Sequence, residues 1–194
     1  MNKNYFITTE RIGFSKWKPE DYELAELLWG NPEATRYICA SGIFRPADIE
    51  NRLGLEIFNG EKYGVQYWPI FKLATGELVG CCGLRPHENH ALRDVKDTES
   101  CDSNEHFDGQ SGDVYEIGFH LRPQFWRKGF AKEAAEAVMD YAFKKLKAQK
   151  LFAGHNPKNI ASKKLLGKLG FTYIGDEFYE PTGLYHPSYE KLSM

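Results

Sequence analysis

The 194-residue sequence has no apolar run approaching the roughly 20 residues that span a bilayer, and its opening, MNKNYFITTER, lacks the hydrophobic stretch of a secretory leader. These absences argue against a membrane role and predict a cytoplasmic protein. Cysteine is scarce: Cys39, Cys81, Cys82 and Cys101 show neither disulfide nor metal-ligand spacing, so no disulfide framework and no metal are expected. Any one of the four could be a nucleophile, but no partner is evident, and buried strand cysteines fit the pattern better. A surplus of one charge is missing too. With 25 Lys and Arg against 27 Asp and Glu, the net charge is -2, which gives no field for nucleic acid or an anionic membrane surface. The phosphate signature G-x-x-x-x-G-K-S/T is absent, as are the three spaced glycines of a dinucleotide fold. No repeat or linker divides the chain, and its 42% hydrophobic content predicts one domain over residues 1–194.

What is present centres on the stretch from Tyr115 to Lys147. Tyr115 to Leu121 alternates as a half-buried strand does, and Pro123 ends the ladder by removing a donor. From Ala131, the positions Ala134, Ala135, Val138, Met139, Ala142, Phe143 and Leu146 recur on one helical face. Small residues open that face, so the helix start can lie close on a sheet. Between strand and helix lies Trp126-Arg127-Lys128-Gly129-Phe130-Ala131. A helix beginning there leaves backbone N–H groups without intrahelical partners, and with the helix dipole and Arg127, Lys128 and Lys132 they make an anion site suited to phosphate or pyrophosphate. A solvated basic turn at a helix start is the plainer alternative.

Elsewhere, Arg11 to Lys18 predicts a strand, and Pro19-Glu20-Asp21 the first turn of a helix running to Trp29. A short helical turn follows Asn31-Pro32, and a helix from Arg45-Pro46 carries Ile49, Leu53 and Ile57 and should end at Asn59-Gly60. Trp68 to Leu73 and Leu78 to Leu84 form a hairpin around Ala74-Thr75-Gly76-Glu77. From His87 to Asp113 there are eight acids, two basic residues and little apolar periodicity, which predicts a mobile loop. His87, His90 and His106 in or beside it form no tight ligand pair on a regular element. Lys150 to His155 predicts a strand, Ile160 to Leu169 a helix capped by Asn156 or Asn159, and Phe171 to Ile174 with Tyr185 to Leu192 a closing strand pair.

Two of these segments resemble motifs of the GNAT superfamily of N-acetyltransferases. Gly129 and Ala131 match motif A, Q/R-x-x-G-x-G/A, with Trp126 in the first position, an aromatic substitution that resembles the ribosomal-protein-alanine N-acetyltransferase branch. Asn159-x-x-Ser162-x-x-Leu165 through Gly170-Phe171 resembles motif B, N-x-x-S/A-x-x-hydrophobic-x-x-x-G-F. Together the motifs cover Tyr115 to Tyr173. The resemblance implies an α+β fold with a mixed, mainly antiparallel central sheet flanked by helices. In that fold two middle strands splay apart to admit pantetheine, and the pair of helices after the first strand walls the acceptor cleft. It implies acetyl-coenzyme A as co-substrate, held by Phe119, His120, Leu121, Arg127, Lys128, Gly129, Phe130, Ala131, Lys132 and Asn159. It further implies Glu116 as general base, a backbone N–H near Phe119 as oxyanion donor, and Ser162, with Tyr173 a weaker choice, as the proton source for the departing thiolate.

The acceptor is then a primary amine. At pH 7 an α-amine is about a tenth neutral, whereas a lysine amine is neutral in only about one molecule in 2,500, so a modest base suits a protein N-terminus better. A small amine such as an antibiotic or polyamine stays open, as does a non-catalytic coenzyme A-binding sensor. Monomer and homodimer fit the sequence equally.

Overall fold

The computed structural model describes residues 4–87 and 114–193. The acidic stretch expected as a mobile loop, 87–113, lies outside them apart from His87, and so do His90, Cys101 and His106. In chain order the elements are β1 (Ile7–Thr8), β2 (Ile12–Phe14), α1 (Tyr22–Trp29), α2 (Pro32–Thr35), α3 (Pro46–Tyr63), β3 (Tyr67–Lys72), β4 (Leu78–Pro86) and β5 (Val114–Leu121). There follow α4 (Phe130–Lys144), β6 (Lys150–Gly154), α5 (Ile160–Lys168), β7 (Thr172–Tyr179) and β8 (Leu184–Leu192). The strands form an eight-stranded sheet in the order β1-β2-β3-β4-β5-β6-β8-β7. Every pairing is antiparallel except β5 with β6, where α4 supplies the crossover that a parallel pair requires.

Three expected boundaries shift, each for a local reason. The strand expected over 11–18 is only β2, paired with the unexpected β1 before it, because the chain leaves the sheet after Phe14 and Trp17 docks instead, its backbone N–H on Gln66 Oε1 at 2.7 Å and its indole on the Tyr67 carbonyl at 2.7 Å. Pro19–Asp21 is a separate 3-10 turn in which Asp21 accepts from the Lys18 backbone N–H at 3.0 Å. Asn59-Gly60 does not end α3, which continues to Tyr63 and stops at Gly64 in the left-handed conformation, φ 71°. Gly60 serves contact instead: a Cβ there would lie 2.2 Å from Gln66 Nε2, which donates to the Glu56 carbonyl at 2.9 Å.

Alternation along the strands divides two cores between the two faces of the sheet. On one face Trp68, Ile70, Cys82, Leu84, Tyr115, Ile117 and Leu151 pack against Ala134, Ala135, Val138 and Ala142 of α4 and Leu166 of α5. The small residues of α4 let its axis come close to β4 and β5. On the other face Tyr67, Phe71 and Cys81 meet Ala25, Leu28 and Trp29 of α1 and Ile49 and Leu53 of α3. Burial of each larger apolar side chain contributes about 1.5–3 kcal/mol. The adjacent cysteines therefore face opposite ways, both buried. Among the described residues, no helix is long and apolar enough to cross a membrane.

Candidate active site

The ladder between β4 and β5 is long, from Gly80 opposite Leu121 to Pro86 opposite Tyr115. That between β5 and β6 is short, covering only Val114, Tyr115 and Glu116 opposite Lys150, Leu151 and Phe152. Beyond Glu116 the two middle strands part, as the resemblance implied. The bonds Arg122 N–H to Val79 O at 3.0 Å and His87 N–H to Val114 O at 3.1 Å set the phase of the β4–β5 ladder. Even-numbered residues of β5 bond to β4, so the peptide groups of the odd residues turn the other way, toward β6 as far as the pairing lasts and, at Phe119 and Leu121, into the gap. The Phe119 N–H thus points into the gap between the parted strands. The backbone of His120 faces β4.

At the end of β5 a 3-10 turn, Pro123–Phe125, leads into the anion turn. Trp126, standing where the family pattern has Gln or Arg, donates its indole N–H to the Leu121 carbonyl at 2.8 Å and so ties the turn to the end of β5. Arg127 and Gly129 both have left-handed backbones, φ 58° and 83°, and Gly129 is the N-cap of α4 with no side-chain cap. The first amides of α4 are thereby left for an anion. Arg127, Lys128 and Lys132 are exposed around them, although Lys132 shares its charge with Glu136 at 2.6 Å.

Behind the turn lies Arg11, which the sequence did not single out. Its Nη1 donates to the Lys128 carbonyl at 3.0 Å, its Nε to Glu133 Oε2 at 2.7 Å, and its guanidinium sits 4.4 Å from the Phe130 ring centroid. Thr9 Oγ1 and the Arg11 backbone N–H also donate to Glu133. Burial works to raise the Glu133 carboxyl, but these bonds and the Arg11 charge prevail and hold it below the ordinary glutamate value. By binding the carbonyl from behind, Arg11 orients the peptide units of the turn.

The even residues of β5 carry polar chemistry on the α1–α3 face. Glu116 Oε1 accepts from the Tyr67 hydroxyl at 2.7 Å. Tyr67 donates its backbone N–H to Glu56 Oε2 at 2.8 Å, and Glu56, fully buried on α3, pairs with Arg52 at 3.0 Å and with Arg85. Arg85 lies directly across from Glu116 in the ladder. Burial, reinforced by the Glu116 charge, pushes the Tyr67 phenol well up, so it stays a donor. Burial, then the charges of Arg52 and Arg85, push His120 well down, so it is neutral. Trp29 donates its indole N–H to His120 Nδ1 at 3.2 Å, which leaves the ring proton on Nε2.

Residues 11–172 match the family profile described as acetyltransferase (GNAT) domain. The chain belongs to the GNAT acetyltransferases. It is similar to the uncharacterized N-acetyltransferase YoaA of Bacillus subtilis (strain 168), 30% identical over 173 residues, covering 87% of this chain and 84% of that one. In fold it is similar to a GNAT-family acetyltransferase of Bacillus anthracis, with TM-score 0.70 and 23% identity over 96% and 98% of the two chains. It is also similar to RimL, a ribosomal L7/L12 α-N-protein acetyltransferase solved in complex with coenzyme A, with TM-score 0.70 and 13% identity over 97% and 98%. The protein is an acetyl-coenzyme A-dependent acyltransferase with a mixed, mainly antiparallel GNAT sheet.

Within this GNAT fold the predicted site residues divide between the faces. Gly129, Phe130, Ala131 and Lys132 lie at the start of α4, and Asn159 and Ser162 at the start of α5, where Asn159 Oδ1 accepts the Ser162 amide at 3.1 Å. Asn159 is therefore the cap of α5; Asn156 instead accepts from the Lys158 amide at 3.0 Å. Glu116 faces away from α4, toward α1 and α3. Tyr173 is half-exposed on β7 and donates to Asp176 at 2.9 Å. Cys81 lies 3.8 Å from His120 Nδ1, a Cys–His arrangement invisible in the sequence. It is no activated dyad: burial pushes that thiol up to about 12, and Trp29 already donates to the same nitrogen. Burial also pushes Cys82 well up. Among the described residues no cluster of three or more His, Cys, Asp or Glu could hold a metal.

Proposed function

We propose that this acetyltransferase moves the acetyl group of acetyl-coenzyme A to a protein or peptide N-terminal α-amine by direct attack in a ternary complex, with residues 1–194 acting as one domain. The observation that carries the proposal is the place of Glu116. It is the last β5 residue still paired with β6, its carboxylate lies on the face away from α4, and it is hydrogen-bonded there at 2.7 Å. A cofactor entering from the α4 side and an amine from the α1–α3 side would meet beside it.

In this reading the amides of the turn, with Arg127 and Lys128, hold the pyrophosphate. The amine attacks the thioester carbon as Glu116 takes its proton, directly or through water, and the tetrahedral oxyanion accepts from the Phe119 amide. Collapse breaks the C–S bond, and Ser162 protonates the departing thiolate. The high thiol pKa of Cys81 and the burial of Cys82 argue against either of these two as an acetyl-cysteine intermediate and support direct attack. The RimL structure, named for α-N-protein acetylation, shares the fold and is consistent with an N-terminal acceptor.

The test is thiol release from acetyl-coenzyme A across a panel of alanyl and seryl peptides, an N-blocked lysyl peptide, spermidine and an aminoglycoside, with coenzyme A binding measured alongside. Free N-terminal peptides should react fastest. Faster turnover of spermidine or the aminoglycoside would move the acceptor to small amines. Coenzyme A binding without turnover of any amine would leave a sensor.

A further inference from the structure

We infer that Tyr67 is a positioning residue for acyl transfer: its hydroxyl, 2.7 Å from Glu116 Oε1, fixes the carboxylate plane in which Oε2 meets the incoming amine. The inference rests on Glu116 acting as the base. The Tyr67 ring is over-determined from every side. It is 3% exposed, its backbone N–H is held by Glu56 at 2.8 Å, and its carbonyl by the Trp17 indole at 2.7 Å. The guanidinium of Arg85 sits 4.3 Å from its ring centroid and that of Arg52 5.5 Å, while His120 meets the ring edge-on at 5.8 Å. Gly118, two residues from Glu116 on the same face of β5, completes the seat, since a Cβ there would lie 2.2 Å from Tyr67 Cζ.

Glu116 is less buried than its partner. The fixed member of the bond is therefore the phenol, and the carboxylate is the member that needs fixing. A catalytic group must be held to within a fraction of an ångström to be effective, and rotamer locking by a neighbouring buried donor is how that is achieved. A buried tyrosine needs a partner for its hydroxyl, and here the partner is the base. The phenol stays protonated throughout the working range, so the bond does not switch off with pH. Among the described residues, the other charged or titratable groups around the Tyr67–Glu116 pair are Arg85 on β4, Arg52 and Glu56 on α3, His120 on β5 and Tyr179 on β7. All of them remain when the hydroxyl is removed.

The test is Tyr67→Phe, alone and combined with Glu116→Gln, assayed with acetyl-coenzyme A and an alanyl peptide from pH 6 to 9.5. The single variant should lose about ten- to a hundred-fold in kcat, the range for one hydrogen bond to a charged group. The KM for acetyl-coenzyme A should stay unchanged. In the Glu116→Gln background the same change should cost nothing further. Should the phenylalanine variant not fold, 3,5-difluorotyrosine at position 67 keeps ring and hydroxyl and alters only the strength of the bond to Glu116, so kcat should change with the KM for acetyl-coenzyme A unmoved, and neither should change in the Glu116→Gln background. An unchanged kcat, or an equal loss in the Glu116→Gln background, overturns the inference and leaves Tyr67 a packing residue. Full kcat in Glu116→Gln alone overturns the base assignment itself, and the inference with it.

Discussion

Removing the Arg11 head group should loosen the anion turn and the protein together. Arg11→Met keeps the aliphatic stem and deletes the guanidinium, which here makes a paired contact to Glu133 at 2.6 and 2.7 Å, a bond to the Lys128 carbonyl at 3.0 Å and a stack on Phe130 at 4.4 Å. The Arg11 side chain is 41% exposed and that of Glu133 17%, so the ion pair is screened and contributes about 1 kcal/mol at most. The carbonyl bond adds about 1 kcal/mol and the stack about 0.5 kcal/mol. A loss of roughly 2 kcal/mol should lower Tm by about 4–8 °C for a chain of this size. Coenzyme A affinity, measured by isothermal titration, should fall about ten-fold, because the turn must then be ordered by the ligand.

The pH dependence has a definite sign. Glu133 titrates below the ordinary glutamate value of 4.5, so its contribution is full above that pH and is lost as pH falls through the depressed value. The Tm gap between wild type and Arg11→Met should be flat from pH 6 to 8 and narrow by up to about half as pH falls below 4.5 through the depressed value, the bond to the Lys128 carbonyl and the stack on Phe130 accounting for what stays. A gap that keeps its full size in acid, or a normal coenzyme A affinity in the destabilised variant, would refute the clamp.

Gly129→Asp should abolish coenzyme A binding in a folded protein, as read by titration, since it places a carboxylate at the N-terminus of α4 on a left-handed backbone, φ 83°. Glu116→Gln should keep coenzyme A affinity and lower kcat by roughly 10²- to 10⁴-fold, with the deficit shrinking as pH approaches the amine pKa; parallel kcat profiles of equal height would remove it from catalysis. Gly118→Ala should cost about 1–3 kcal/mol in thermal melts, because the new methyl meets the enclosed Tyr67 ring at 2.2 Å, and should slow turnover more than it weakens coenzyme A binding.

The central strand, turn and helix were legible because their signals are local: alternation over Tyr115 to Leu121, a 3.6-residue recurrence over α4, and a glycine between them. The start of α5 was legible for the same reason, with Asn156 and Asn159 both offered as its cap and Asn159 the one that serves. Arg11 and Tyr67 were not, because each acquires its role from partners brought together by sheet pairing, 122 residues away for Arg11 and Glu133 and 49 for Tyr67 and Glu116. The buried ionic cluster did leave a trace. Glu56 stands on the apolar stripe of α3 with Ile49 and Leu53, at the i, i+4, i+7 positions of one face, and a carboxylate there requires a buried partner. Gly118 in mid-strand was another, since an isolated strand glycine marks a close approach.

Parity along β5 explains how one strand serves both halves of the proposed reaction. Odd residues send side chains into the α4 core and their peptide groups toward β6 and, from Phe119 onward, into the gap, whereas even residues bond to β4 and carry Glu116 and His120 on the opposite face. An oxyanion donor and a base belong to opposite parities of the same strand, and an ordinary sheet would hide the donor by pairing it. Only where a strand has lost one neighbour can a backbone N–H and a side chain three residues away be reached from the two faces at once. The pairing of β5 with β6 ends at Glu116, so that condition is met within a few residues of the carboxylate. A one-residue slip against β4 would invert every assignment. The register resists it through close backbone approach, for a Cβ at Gly80 would lie 2.1 Å from the His120 carbonyl oxygen.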